Sequence, residues 1–173
     1  MANKYLFFWG HTPKKPGTIG AECLSQWYPS PFEVDGVQFV TAEHYMMWGK
    51  ARLFGDEDAA AKILEVGHPK KAKDLGRIIR GFDEAAWIAN RVEIVTAGNV
   101  EKFRQNPALL AFLLGTNERV LVEASPMDRI WGIGLAATDE RAHDPAQWRG
   151  SNLLGEALMR ARTILRGDED GAG

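Results

Sequence analysis

The apolar positions along this chain change period several times, and each change marks an element. Residues 5–9, Tyr-Leu-Phe-Phe-Trp, are a short continuous apolar run that predicts a buried strand, ended by Gly10 and the loop through Pro13, Pro16 and Gly17. Phe32-Glu33-Val34 and Val37-Gln38-Phe39-Val40 alternate on either side of Asp35-Gly36, a dipeptide suited to a tight turn with positive φ, so a hairpin is expected. At Thr41, a good N-cap, the spacing becomes helical and holds to about Phe54, where Gly55 stops it. Asp56 can cap a second helix, marked by Ala60, Ile63 and Leu64 and ending near Gly67. A third is read over residues 68–80, with Lys73, Arg77 and Arg80 on one face.

Asp83 caps a longer helix to about Asn106, patterned by Trp87, Ile88, Val92, Val95, Val100 and Phe103. Asn106-Pro107 breaks it, and a short apolar helix follows to Leu114. Residues 119–124 read as a strand. A long loop to Gly150 then leads to a last helix, capped by Asn152 and patterned by Leu154, Leu158, Ala161 and Leu165. The pattern predicts an α+β, predominantly helical fold with a small antiparallel sheet. It forms a single domain over residues 1–166, with a disordered acidic tail over residues 167–173.

Composition narrows the function classes. A hydrophobic fraction of 45% and a charged fraction of 25% are ordinary for a globular chain. The lone cysteine, Cys23, excludes an internal disulfide and argues against a cysteine-based zinc site, and the four histidines, at 11, 44, 68 and 143, show no metal-ligand spacing. No metal and no organic cofactor is expected. No apolar run is long enough to span a bilayer, and the first residues do not resemble a secretory signal, so a cytoplasmic protein without a membrane partner is expected. A net charge of −2 argues against avid duplex-DNA binding through a generally basic surface. Oligomeric state is not legible.

Three stretches could carry chemistry. Glu43 and Lys50, seven residues apart on one helix, share a face about 10 Å long, with Met46 and Met47 between them. They form either the wall of a substrate site or a solvated edge. Asp128, followed by Trp131-Gly132-Ile133-Gly134, sits in a loop after a strand. There an indole can stack on a flat ligand and a glycine lets backbone approach it; a turn cap and a packed indole are the plainer alternative. Arg149, beside a helix start at Asn152, can receive a phosphate, while Asn152 also reads simply as an N-cap. Trp87 either faces the same cavity or belongs to the core.

The ordered set of Phe7-Phe8, Leu24-Ser25-Gln26-Trp27-Tyr28-Pro29-Ser30-Pro31-Phe32, Ala42-Glu43-His44-Tyr45 through Lys50, and Lys102-Phe103 is joined by Val122-Glu123-Ala124-Ser125, Asp128 with Trp131-Gly132, and Gly150-Ser151-Asn152-Leu153-Leu154-Gly155. This set resembles the NADAR family, which includes YbiA-like N-glycosidases, over roughly residues 5–166. The resemblance implies a mixed, mainly helical domain that cleaves N-glycosidic bonds of ribose-containing nucleotides. Two substrate classes are implied: phosphoribosyl-aminopyrimidine intermediates of riboflavin synthesis, and ADP-ribosylated guanine, including guanine in DNA or RNA. It also implies catalytic positions at Glu43 and Asp128, a covalent candidate at Lys50, and substrate-binding positions at Trp87, Trp131 and Gly132. Gln26 joins them, standing with Trp27 where the family often carries Asn-Phe. A non-catalytic module binding ADP-ribose or NAD is the competing expectation. It would need neither Glu43 nor Lys50 facing the sugar.

Overall fold

The computed structural model describes residues 4–171. Residues 1–3 of the expected non-secretory N-terminus, and residues 172 and 173 of the expected tail, lie outside the described residues. Six α-helices and four strands occur among the described residues. None of these helices is long and apolar enough to cross a membrane. The chain divides into two compact units, residues 26–106 and the flanking residues 4–25 with 107–171.

The first unit is continuous in sequence. The expected hairpin is β2, Phe32–Val34, against β3, Val37–Phe39, antiparallel with Phe32 opposite Phe39. Its turn places Asp35 at φ 50° and Gly36 at φ 81°, the left-handed pair that the dipeptide predicts. Helix α1, Ala42–Leu53, is capped by Thr41, whose side chain accepts from the His44 N–H. Asp56 caps α2, Glu57–Glu65, and Asp83 caps α4, Glu84–Arg104, both as expected.

Helix α3, Pro69–Gly76, is shorter than the pattern predicts. The chain beyond Gly76 turns, with Gly81 at φ 76°, because the Arg80 N–H and guanidinium are bonded to the Asp56 carboxylate at 2.9 and 3.1 Å. Lys73, Arg77 and Arg80 therefore do not form one basic helical face. The helices close over α1 through small residues. A Cβ on Gly49 would lie 2.7 Å from the Ile94 side chain, and side chains on Gly76 and Gly98 would run into Met47 and Tyr45.

In the second unit β1, Tyr5–Phe8, pairs with β4, Val120–Glu123, in parallel register, Tyr5 opposite Val120. The hairpin is the small antiparallel sheet expected, and this second pair is parallel: strands so far apart in sequence are joined by a crossover, not by a turn, and parallel pairing is open to them. Val122, Ala124, Ile133, Leu135 and Ala142 form a core beside this pair, with Trp148 packed against it. Cys23, in a 3₁₀ turn over Ala21–Leu24, is fully buried. Helices α5, Pro107–Gly115, and α6, Leu153–Gly171, complete the unit. Helix α6 takes in residues 167–171, which the composition predicts as disordered; all five are exposed.

Candidate active site

Helix α1 carries the polar groups of the first unit inward. Glu43 is 4% exposed, one residue after the start of α1, with its N–H donating to the Gln26 carbonyl at 3.0 Å. Gln26 is itself buried and fixed from both ends of its amide. Its Nε2 donates to the Ala42 carbonyl at 3.4 Å, and its Oε1 accepts from Asn99 Nδ2 at 2.9 Å. The Gln26 side chain is thus anchored at both ends of its amide. Asn99, on α4, was not singled out from the sequence; an asparagine in the middle of a buried helical stripe was the available signal.

His44, next to Glu43, bonds the Thr41 hydroxyl through Nδ1 at 2.7 Å and the Val66 carbonyl through Nε2 at 2.8 Å. A carbonyl can only accept, so Nε2 carries the proton and Nδ1 takes the hydroxyl's. Burial pushes its pKa down, which keeps the ring neutral. This histidine holds structure.

Lys50, two turns along α1, is half-buried, and its Nζ donates to the Gly76 carbonyl at 2.8 Å. The same nitrogen lies 4.8 Å from the Phe82 ring centroid and 5.3 Å from that of Trp87. Burial pushes the lysine pKa down; the Glu43 carboxylate acts against that shift and the Arg77 guanidinium adds to it. Desolvation, reinforced by the Arg77 cation, is what nucleophilic lysine chemistry requires of an amine, and the Glu43 carboxylate on the same helix opposes it. Phe82 and the Gly76 carbonyl were missed in the sequence because their part follows from where the loop after α3 turns.

The second unit places the other predicted residues. Asp128 Oδ1 accepts from the N–H groups of Ile130 and Trp131 at 2.9 and 2.8 Å, so it does cap the turn; Oδ2 forms no hydrogen bond among the described residues. Trp131 is half-buried. Gly132 is buried, and a Cβ there would lie 2.9 Å from the Glu123 carbonyl, so the glycine lets its loop approach β4 closely. Arg149 is exposed.

Asn152 departs most from expectation. It sits at φ 52°, and its amide straddles β4, with Nδ2 donating to the Leu121 carbonyl at 3.0 Å and Oδ1 accepting from the Glu123 N–H at 3.0 Å. Its side chain therefore extends the sheet and does not cap α6. The N–H groups of residues 151–154 donate to the carbonyls of Arg129, Gly132, Ile130 and Trp131, so this helix start has no row of free donors to receive a phosphate. Among the described residues no three histidine, cysteine or carboxylate side chains converge as a metal site.

The chain matches the NADAR domain over residues 7–166 and belongs to that family. It is 44% identical to N-glycosidase R617 of Acanthamoeba polyphaga mimivirus, over 92% of this chain and 95% of that one. It is 40% identical to Protein irg-1 of Caenorhabditis elegans, over 84% and 76% of the two chains. N-glycosidase YbiA of Escherichia coli is 31% identical over 78% and 76%. The NMR structure of E. coli YbiA superposes with a TM-score of 0.77 at 26% identity, covering 98% of this chain and 89% of that one.

Proposed function

We propose that this chain hydrolyses the ribosyl C–N bond of a ribose-containing nucleotide, either an ADP-ribosylated guanine or a phosphoribosyl-aminopyrimidine. Its class, a hydrolase acting on N-glycosyl compounds, follows from the family and from relatives named N-glycosidases. The observation that carries the finer reading is the desolvated Lys50 amine on the same helix as the buried Glu43.

Cleaving the bond builds positive charge on C1 and the ring oxygen, and the Glu43 carboxylate offsets that charge and accepts a proton from water. Asp128, with Oδ2 open, is assigned to the ribose hydroxyls or to protonating the departing base; this assignment rests on the family resemblance. Lys50 opens a second route. In the ring-opened sugar, Nζ forms a bond to C1 as the base nitrogen leaves with a proton, and water then splits the resulting imine to release the sugar and the free amine. Trp87 closes one side of this amine, Trp131 is a stacking surface, and Arg149 is the remaining phosphate partner. Gln26 serves by holding the start of α1.

Both substrate classes should be assayed together, with chromatography of the released base. Borohydride added during turnover should leave a reduced sugar adduct on Lys50, read by peptide mass. Base release with an unmodified lysine leaves only the direct hydrolytic route. No base released from either substrate, with ADP-ribose bound, makes the chain a binding module.

A further inference from the structure

The loop between α3 and α4 presents an aromatic ring to solvent at the reactive amine. Of the two rings beside Lys50 Nζ, Trp87 is 9% exposed and Phe82 is 47% exposed. Trp87 is the inner wall; Phe82 has an open side. Scattered exposed apolar side chains need no explanation, but this one is held in place. Its ring packs at 63° against Phe54 with centroids 5.3 Å apart. Arg80, two residues earlier, is tied through backbone and guanidinium to Asp56, and Gly81 sits at φ 76° with its Cβ position 3.3 Å from the Phe54 carbonyl. A fixed ring loses little freedom when a ligand covers it.

We propose that Phe82 is the surface on which the departing nucleobase stacks. The inference rests on the reading above, in which Lys50 addresses C1. An attacking nitrogen stands about 3–3.5 Å from the carbon it attacks. The base is bonded to that carbon, so its ring lies within about 6 Å of Nζ, and the Phe82 centroid lies 4.8 Å from the same atom. With both on the same side of the amine, the two flat rings can reach the 4.5–7 Å range of favourable aromatic pairs. The sugar and diphosphate extend from the other side of C1 and make no demand on this ring. Phe82 thus selects for a flat leaving group, while Lys50 and Glu43 act on the sugar.

The two halves of a cleaved ADP-ribosylated guanosine, guanosine and ADP-ribose, separate these contributions. In Phe82→Leu, which keeps apolar bulk against Phe54, guanosine affinity by calorimetry should fall about fivefold or more. Phe82→Trp should keep it within about twofold, and ADP-ribose should bind all three proteins within about twofold of one another. In the unaltered protein, guanosine should move the Phe82 ring protons upfield, a measurement that needs no variant. Guanosine affinity indifferent to the leucine, equal losses for both ligands, or no guanosine binding to the unaltered chain overturns the assignment. Phe82-dependent guanosine binding without any base release from substrate would keep the stacking surface and remove the hydrolase reading. Base release with kinetics indifferent to Phe82→Leu would do the reverse.

Discussion

At Glu43 and Lys50 the same helix supplies opposite charges under different constraints. The carboxylate is buried at the helix start, where the positive end of the dipole favours it. The amine is stripped of water and placed against a carbonyl and two rings. Glu43→Gln keeps the shape and removes the charge, and turnover should fall about 100-fold or more while the thermal midpoint holds. A folded variant with near-normal turnover removes Glu43 from the chemistry. The Arg77 guanidinium lowers the Lys50 pKa, so Arg77→Gln should raise it. The pH–rate limb that reports the neutral amine should then move to higher pH, and a profile unchanged by the substitution means that limb belongs to another group. The acidic and basic positions on α1 were legible because seven-residue spacing fixes a shared face. Burial of one and desolvation of the other were not; the lysine's surroundings depend on where α3 ends, at Gly76.

Among the elements, α1 is the one the others are shaped around, and small residues permit it. Gly76 meets Met47 on one side and lends its carbonyl to Lys50 on the other. Gly76→Ala should therefore cost about 1–3 kcal/mol by overpacking, and it should lower turnover by more than the loss of folded protein explains, because the same shift moves the lysine's acceptor. Denaturant unfolding and steady-state kinetics on one preparation check both. The caps at Thr41, Asp56 and Asp83, and the turn at Asp35-Gly36, were readable because each rests on two or three adjacent residues. Asn152 was misread for the opposite reason. A small polar residue before a helix looks like a cap, and only the distant β4 shows that its amide completes a strand. The parallel partner of β1 was equally hidden, since nothing local distinguishes a strand paired across the chain from one paired to its neighbour.

For the whole molecule, two carboxylates held by hydrogen bonds from arginines predict a loss of stability in acid. Asp56, through hydrogen bonds from Arg80 and Ala59, and Asp139, through those from Arg141, both have carboxyl pKa values lowered to about 2. A carboxyl depressed in the folded state stabilises it above its ordinary pKa, and that contribution is lost as pH falls through the folded value. Stability should therefore decline from about pH 4 towards pH 2. Asp56→Asn should be less stable at neutral pH and show a shallower decline over that window, measured by urea unfolding across pH. A decline as steep as that of the unaltered chain places the acid sensitivity elsewhere.

Cys23, fully buried and the sole thiol of the chain, makes the molecule its own reporter of opening. A maleimide dye should label it only as fast as the structure around it opens, so the labelling rate reports how readily that enclosure loosens. A rate matching that of a free thiol would show the enclosure to be transient.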